Sequence, residues 1–299
     1  MTKWSATDIP DQAGRTVIVT GANSGLGRAT TAALAAAGAR VVMAVRDVAR
    51  GEEAAAGIGG TVEVHKLDLA DLASIHEFAD GWSCTIDILI NNAGVMAVPE
   101  ARTTDGFEMQ FGTNHLGHFA LTNALLPRIS DRVVTVSSTV HRTGSIDLDD
   151  LNWETRAYKP WAAYAQSKLA NLLFTLELQR RLQGDGSPLR AMAAHPGWAS
   201  TNLQSGPATN PVLKGISSLG NALFAQSPER GALPTLFAAT QDLPGASYVG
   251  PDGWMEQHGH PTLVGRTALA SDLSLAAGLW TASEQLTGVH YPGGICPAA

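Results

Sequence analysis

The chain has 299 residues, a net charge of −7 and 44% hydrophobic residues, enough for a large folded core. Its 20 lysines and arginines form no basic run or face, which excludes nucleic acid as a partner. No apolar run reaches the roughly 20 residues of a membrane span, and residues 1–14 do not resemble a signal peptide, so we expect a cytoplasmic protein without integral membrane association. The two cysteines, Cys84 and Cys296, are too few for a disulfide framework and are expected to be reduced thiols.

Short β-branched runs alternate along the chain with longer segments rich in Ala and Leu. This alternation predicts a single-domain α/β Rossmann fold, a doubly wound parallel sheet of about seven strands with helices on both faces. The predicted strands are Thr16–Thr20, Arg40–Val45, Val62–Leu67, Ile86–Ile90, Arg132–Ser137, Arg190–Ala194 and Gly288–Tyr291. The predicted helices are Gly27–Ala37, Leu72–Ala79, Asp105–Leu126, Trp161–Gln183 and Pro228–Thr240.

Two long connections, residues 139–160 and 202–226, interrupt this alternation and lack strand or strong helix signals. Long connections in a compact domain tend to be functional. We therefore expect a substrate loop over 139–160 and a lid over 202–226. Neither segment has the composition of a linker, and no repeat occurs at a fixed period, so residues 1–299 are expected to form one domain.

The first predicted strand runs directly into a glycine-rich turn and a helix. The turn has the spacing G-x-x-x-G-x-G rather than the common G-x-G-x-x-G. Glycines there let a pyrophosphate approach the helix N-terminus, where free N–H groups and the dipole favour anions. A tight turn without a ligand is the alternative when the motif is taken alone. The candidate phosphate-binding residues are Gly21, Asn23, Ser24, Gly25, Leu26 and Gly27.

The end of the second strand distinguishes two nicotinamide cofactors. An acidic residue there would bind the ribose hydroxyls of NAD and repel a 2′-phosphate. Arg46 stands at this position, and its guanidinium can pair with a 2′-phosphate. This pattern favours NADP(H) over NAD, with a solvated, salt-bridged arginine as the alternative. Asp47 is placed one residue too late to bind the ribose.

Interconversion of a carbonyl and an alcohol needs hydride on carbon and a proton on oxygen, so the protein must supply an acid/base. Tyr164 and Lys168 are four residues apart in a predicted helix and therefore share one face. The ammonium is expected to lower the phenol pKa from its usual value near 10. Tyr158 has no lysine at this spacing and is expected to have a lid or packing role. A helix tyrosine packed beside a lysine stem is the structural alternative.

Polar residues at two further positions complete the candidate catalytic set. Ser138 follows a predicted strand, where open α/β folds place ligands, and its hydroxyl could hold the substrate oxygen. Ser137 is its competitor. Asn114 lies inside a predicted helix, where Asn is a mediocre helix former and can instead bond to backbone or water.

Together these elements closely resemble the short-chain dehydrogenase/reductase superfamily over residues 15 to about 245. Residues 105–119 and 167–171 are similar to the branch that contains retinol dehydrogenases and light-independent relatives of protochlorophyllide reductase. The elements that carry the resemblance are Thr20–Gly27, Asp68-Leu69, Asn91–Gly94, Asn114, Ser138, Tyr164-x-x-x-Lys168 and Pro196-Gly197.

The resemblance implies the remaining site assignments. Asp68 with Leu69 would meet the adenine, and Asn91, Ala93 and Gly94 would line the adenosine side. Pro196, Gly197 and Thr201 would contact the nicotinamide end, and Tyr164 and Lys168 would touch cofactor as well as substrate. Ser138 is favoured over Ser137, and Asn114 would hold a water connected to the lysine. Ser138 and Tyr164 are 26 positions apart, more than is usual, so the extra residues are expected to loop over the substrate end.

Three functions of different classes fit parts of this pattern: an NADP(H)-dependent carbonyl/alcohol oxidoreductase, an NADP-binding regulator that has kept only the fold, and a different Rossmann-like enzyme such as a methyltransferase. The retained Tyr164 and Lys168 favour the oxidoreductase. A lipophilic small-molecule substrate is suggested by apolar residues of the lid, which are Leu203, Val212, Leu213, Ile216, Leu219, Leu223 and Phe224.

Metal binding is not predicted, because the histidine pairs His115/His118 and His258/His260 have no obvious third ligand. The family also implies that copies of the chain can associate as a homo-oligomer. The role of residues from 250 onward is left open by the sequence.

Overall fold

The computed structural model describes residues 3–198 and 226–294. Strands and helices alternate through most of this part of the chain. The strands are β1 (Thr16–Thr20), β2 (Arg40–Val45), β3 (Thr61–Lys66), β4 (Ile86–Asn91), β5 (Ile129–Val136), β6 (Arg190–Ala194), β7 (Tyr248–Pro251) and β8 (Pro261–Leu263). The helices are α1 (Gly25–Ala36), α2 (Val48–Ala55), α3 (Leu72–Asp80), α4 (Met109–Phe111), α5 (Gly117–Leu125), α6 (Pro160–Gly184), α7 (Pro228–Thr240) and α8 (Leu273–Thr287).

The strands form one sheet in the order β3-β2-β1-β4-β5-β6-β7-β8. Strands β1 to β7 pair in parallel, and β8 runs antiparallel to β7, with Val249 opposite Leu263. The strand order reverses at β1, which lies between β2 and β4. Ligands of open α/β sheets bind at the carboxyl ends of strands around such a point. The predicted single-domain Rossmann fold is confirmed.

Both faces of the sheet are covered, because successive side chains of a buried strand point to opposite sides. Ile18 of β1 packs into a cluster with Phe119, Phe174 and Trp280 from α5, α6 and α8. Val17 and Val19 pack on the other side with apolar residues of α1 and α7, such as Leu34 and Leu236. This two-sided burial explains the nearly continuous apolar character of the strands.

Most predicted elements agree with the structure to within a few residues, but one strand prediction is wrong. Residues Gly288–Tyr291 form no strand. Gly288 instead adopts a left-handed conformation with φ of 68° and ends α8. The seventh and eighth strands are instead β7 and β8, which are too short to produce a recognisable hydrophobic periodicity in the sequence.

Among the helices that were predicted, Asp105–Leu126 differs most from the structure. The predicted helix Asp105–Leu126 begins only at Met109, after a turn in which Gly106 has φ of 86°. It is then interrupted by a π-helical stretch, Gly112–Leu116, before α5 continues. The prediction missed α2 and α8.

The predicted helix Pro228–Thr240 has the bounds of α7, and the Ser227 side chain accepts a hydrogen bond from the Arg230 N–H at its start. Within residues 3–198 and 226–294, every helix is too short or too polar to cross a bilayer. Cys84 carries a free thiol, and Cys296 lies outside the described residues.

Candidate active site

A cleft of about 550 Å³ opens at the carboxyl ends of the strands around β1. Many of the predicted cofactor residues line it, namely Gly21, Asn23, Ser24, Gly25, Leu26, Gly27, Arg46, Asp68, Leu69, Ala93 and Gly94. The lining also includes Asn92 from the Asn91–Gly94 element, and residues that the sequence analysis did not assign to the cofactor, which are Ala44, Asp47, Arg50, Leu67, Val95, Val98 and Thr113. Such a volume suits a small-molecule ligand.

The glycine turn is shaped by close backbone contacts. Gly21 has φ of 64°, and a Cβ there would lie 2.9 Å from the Ala93 Cβ. A Cβ on Gly27 would lie 2.5 Å from the Gly21 carbonyl oxygen, so a side chain at either position would open the turn. Glycine is therefore required by the packing of the turn against itself and against the segment that follows β4.

The N-terminus of α1 faces this turn without a side-chain cap. Ser24 occupies the N-cap position, yet its hydroxyl accepts no capping hydrogen bond. By contrast, Asp47 caps α2 and Asp71 caps α3. The amide groups of the first turn of α1 are thus left for another acceptor, and they suit the pyrophosphate of a dinucleotide.

Two arginines line the cleft beyond β2. Arg46 follows the strand, and no salt bridge involves it within the described residues. The carboxylate of Asp47 accepts the Arg50 N–H at 3.1 Å and pairs with the Arg50 guanidinium at 3.4 Å, so it is already engaged. Arg50 was missed because helix α2, which places it one turn after Arg46, was not predicted.

A buried histidine connects the glycine turn with the candidate catalytic helix. The Thr20 hydroxyl oxygen accepts the N–H groups of Asn92 and Ala93, both at 2.9 Å. Its own proton is thereby directed to His118 Nε2 at 2.9 Å, and His118 Nδ1 donates to the Asn114 carbonyl at 3.0 Å. This pattern requires a neutral imidazole. Burial, together with the nearby Lys168 charge, lowers the pKa of His118 to about 4.

Asn114 is fixed by three hydrogen bonds through its side chain. Its Oδ1 accepts the Val95 N–H at 2.8 Å, and its Nδ2 donates to the Val95 carbonyl and to Ser167 Oγ, each at 2.9 Å. Asn114 belongs to the π-helical stretch, and such irregularities are frequent at functional sites. A Cβ on Gly94 would lie 3.1 Å from Asn114 Oδ1 and 3.5 Å from Lys168 Nζ. Gly94 thus marks the point where the cleft meets these side chains.

Tyr164 and Lys168 lie on the same face of α6, as the spacing predicted. The Lys168 ammonium donates to the Val136 carbonyl at 3.1 Å and lies 5.6 Å from the centre of the Tyr164 ring. Burial lowers the pKa of Lys168 to about 8. The expectation of a lowered phenol pKa differs from the structure, because burial raises the pKa of Tyr164 to about 12 against an opposing hydrogen bond from Ser138.

The two neighbouring serines have different surroundings. Ser137 is buried, and its hydroxyl donates to the Lys168 carbonyl at 2.8 Å, which ties β5 to α6. Ser138 begins the turn after β5, where its hydroxyl accepts the Val140 N–H at 3.3 Å. Its side chain also lies close enough to the Tyr164 phenol to oppose the rise in the pKa of that group. Ser138 is therefore the serine that faces the candidate acid/base.

The sequence profile of the short chain dehydrogenases matches residues 15–210. The chain belongs to the short chain dehydrogenase family. Human retinol dehydrogenase 13 is 44% identical over 294 residues, covering 93% of this chain and 86% of its own. Mouse polyprenol dehydrogenase is 40% identical over 299 residues, covering 94% of this chain and 86% of its own. The similarity to retinol dehydrogenases confirms the predicted branch.

Solved structures agree with this assignment. The crystal structure of a protein from Mycobacterium paratuberculosis superposes with a TM-score of 0.86 at 56% identity, covering 97% of this chain and all of that one. A protein from Beutenbergia cavernae, described as an NAD(P)-dependent gluconate 5-dehydrogenase with NADP bound at low occupancy, has a TM-score of 0.56 at 27% identity and covers 76% of this chain and 90% of its own.

Some residues predicted for this short chain dehydrogenase site lie elsewhere. Asn91 is fully buried, and its Nδ2 donates to Thr122 at 2.9 Å and to Thr135 at 3.4 Å, so it supports the sheet behind the cleft. Pro196 and Gly197 follow β6 and do not line the cleft within the described residues. Thr201 and the predicted lid 202–226, except its last residue, lie outside the described part of the chain.

The predicted substrate loop 139–160 is an ordered segment with its own polar core. Asp150 accepts the Glu154 N–H at 2.6 Å and the Thr155 hydroxyl at 2.9 Å, and pairs with Arg156 at 3.4 Å. The Tyr158 hydroxyl donates to the buried Glu108 at 3.0 Å, which ties the end of the loop to α4. Tyr158 thus holds the loop in place, in agreement with the packing role expected for it.

The side chains of His115 and His118, next to Asn114 in the chain, do not point toward a common site. His115 Nε2 lies 2.9 Å from Ser283 of α8, whereas His118 points to Thr20. Burial lowers the pKa of His115 to about 3. No cluster of three or more metal-ligating side chains occurs in residues 3–198 and 226–294.

Proposed function

We propose that this short chain dehydrogenase interconverts a carbonyl and an alcohol with NADP(H), and that Tyr164 exchanges the proton with the substrate oxygen. One observation carries the proposal. Asn114 Oδ1 and Lys168 Nζ both approach Gly94 at the edge of the cleft, with Tyr164 one turn before the lysine on the same helix. A dinucleotide cleft and an acid/base group thus meet at one point.

The residues of the cleft fit such a cofactor. The uncapped N-terminus of α1 and the turn that excludes side chains at Gly21 and Gly27 provide donors and space for a pyrophosphate. Asp68 and Leu69 line the same cleft, where the family resemblance places the adenine. When bound, the nicotinamide would supply or accept the hydride, while the chain supplies the proton.

The proton step falls to three side chains. Tyr164 donates its proton to the oxygen during reduction and removes it during oxidation. Ser138, whose side chain lies beside this phenol, is suited to hold the same substrate oxygen. The charged Lys168 stabilises the phenolate that remains after donation, because opposite charges at close range favour the ionised form. Asn114 positions the Gly94–Val95 segment beside the lysine.

Substitution of the phenol tests this proposal. Tyr164→Phe removes only the hydroxyl and is expected to lower kcat by about 10² to 10⁴, while NADPH still binds. Tyr291→Phe is the matched control, because that hydroxyl bonds to Asp185 on the surface. Turnover of Tyr164→Phe within about tenfold of the wild type would refute the proposed role. NADPH binding without turnover by the wild type would instead support the regulatory alternative.

The preference for NADP over NAD rests on Arg46 with Arg50 beside it in the cleft. A guanidinium pairs with a phosphate dianion but gains little from ribose hydroxyls. Arg46→Ala is therefore expected to raise KM for NADPH about tenfold or more with little effect on KM for NADH, a loss of about 1.4 kcal/mol. Arg230→Ala, on the exposed start of α7, is the control. A wild-type chain that uses NADH better than NADPH would contradict the assignment.

A lipophilic substrate is supported by the relatives, since retinol and polyprenols are apolar isoprenoid alcohols. We expect kcat/KM with NADPH to rise with the apolar size of the carbonyl compound. An aldehyde series of increasing chain length measures this dependence. Best turnover on small charged carbonyls would contradict it. The cytoplasmic location and the homo-oligomer remain predictions from the sequence.

A further inference from the structure

Glu256 lies in the segment between β7 and β8, whose role the sequence analysis left open. Its carboxylate reaches two segments that flank the candidate catalytic centre. Oε2 lies 3.1 Å from His195 Nε2, and Oε1 accepts a hydrogen bond from Arg142 at 2.7 Å. His195 is fully buried at the end of β6, whereas Arg142 is partly exposed in the turn that follows Ser138.

The contact with His195 leads to the Pro196-Gly197 turn. His195 Nδ1 accepts the Gly197 N–H at 3.2 Å, so Nε2 carries the proton and donates to Glu256. Gly250 makes room for this imidazole, because a Cβ at that position would lie 2.0 Å from His195 Nε2. The carboxylate therefore fixes one tautomer, and the imidazole fixes the backbone amide of Gly197.

The contact with Arg142 leads to Ser138. Arg142 belongs to the turn Thr139–Thr143, for which Ser138 is the N-cap. In the same turn, His141 Nδ1 lies 2.6 Å from the Ser138 carbonyl. A single carboxylate thus joins the turn that begins at the candidate substrate-binding serine to the turn that the resemblance places at the nicotinamide.

The backbone around Glu256 is strained in a way that the contacts explain. Met255 and Glu256 have φ of 52° and 57°, although neither is glycine. Such conformations are unfavourable for residues other than glycine and persist where the surroundings fix them, often at functional sites. The next carbonyl, of Gln257, accepts the Trp198 N–H and the Gln226 Nε2–H, both at 2.8 Å. The segment is therefore held from several sides.

We propose that Glu256 is a positioning residue that sets the Ser138 turn and the Gly197 turn at a fixed separation, so that substrate oxygen and nicotinamide meet Tyr164 in register. This inference rests on the proposed function. Glu256 touches neither reacting group and acts through Arg142 and His195. Misplacement by about 1 Å can cost 10²-fold in rate, so the effect belongs in kcat rather than in binding of the adenosine half of the cofactor.

The test compares Glu256→Ala with the surface control Glu53→Ala, whose side chain is exposed on α2. For Glu256→Ala we expect kcat to fall by about 10- to 100-fold. The Kd for adenosine 2′,5′-bisphosphate, which reports only the adenosine end, should be unchanged. Gly250→Ala is expected to lower kcat similarly without removing a charge, because its Cβ displaces His195. Adding Arg142→Ala to Glu256→Ala should cause no further loss, since the two act on one contact.

Two outcomes would overturn the inference and leave the proposed function intact. One is a Glu256→Ala variant with wild-type kcat. The other is a variant whose adenosine bisphosphate affinity and thermal stability fall together with kcat, which indicates general unfolding. A wild-type chain without NADPH-dependent turnover would overturn the proposed function, and the role of Glu256 with it.

Discussion

Lys168 is a buried ammonium without a carboxylate partner among the described residues, and its replacement by an apolar isostere should stabilise the fold while removing activity. Lys168→Met keeps the volume of the stem. The Val136 carbonyl that loses the ammonium still accepts Asn171 Nδ2 at 3.1 Å, so no acceptor is left unpaired. We therefore expect a variant that unfolds at higher urea concentration than the wild type and has lost most of its turnover.

The magnitude follows from the pKa of the amine. Burial lowers it from 10.5 to about 8, and at about 1.4 kcal/mol per pH unit this corresponds to about 3 kcal/mol. Below pH 8 the amine is charged in the folded and unfolded states, and the full cost of burying the charge is present. Between pH 8 and 10.5 the unfolded chain binds more protons, so wild-type stability rises with pH relative to the variant. The advantage of Lys168→Met should shrink by about 2 kcal/mol from pH 7 to pH 10.

Urea denaturation of both proteins at these two pH values measures the difference directly, since other titrating groups are common to both. Lys66→Met, on an exposed lysine at the end of β3, is the matched control substitution. A Lys168→Met chain that is less stable than the wild type near neutral pH would refute the reasoning. If the stability advantage of Lys168→Met over the wild type stays constant with pH, packing rather than the charge of Lys168 determines that advantage.

Two further changes follow from buried contacts. His118→Phe removes the bridge between Thr20 and Asn114 and should cost about 1 to 3 kcal/mol near pH 7. It should also reduce the loss of stability in acid between pH 6.5 and about 4, where the unfolded chain binds a proton that the folded His118 does not. Urea denaturation of the wild type and of His118→Phe along a pH series measures both effects. If stability falls equally steeply with decreasing pH in the two proteins, the expected effect in acid is contradicted. Asp150→Ala should speed tryptic cleavage after Arg156 several-fold, and wild-type cleavage kinetics would show that the loop does not depend on this carboxylate.

The sequence predicted well those features that depend on local pattern. The glycine turn, the strand ends and the Tyr164/Lys168 spacing are short-range signals. In the structure the turn and several strand ends line one cleft, and Lys168 approaches Gly94 at its edge. Contacts between distant segments left no such signal. Glu256 meets Arg142 across more than 100 positions and His195 across more than 60, and no local periodicity marks an acid in an irregular segment as their partner. The same limit applies to the contact between His118 and Thr20, which lies 98 positions earlier in the chain.

The two serines show why residue type alone could not complete the site. Ser137 and Ser138 carry the same group in adjacent positions, and their local backbone distinguishes them. Ser137 directly follows β5, and its N–H donates to the Ala194 carbonyl while its hydroxyl donates to the Lys168 carbonyl, whereas Ser138 is the N-cap of the next turn.

The phenol pKa is the clearest case in which a charge argument from spacing was incomplete. The spacing of four residues in α6 brings the Lys168 ammonium near the Tyr164 ring. Burial of the phenol nevertheless has the largest effect and raises its pKa to about 12. The pKa of Lys168 is lowered by the same burial. An acid/base in such surroundings ionises only when further positive charge lies beside it. The oxidised ring of the proposed nicotinamide cofactor carries that charge, so alcohol oxidation would depend on cofactor occupancy for proton removal as well as for hydride acceptance.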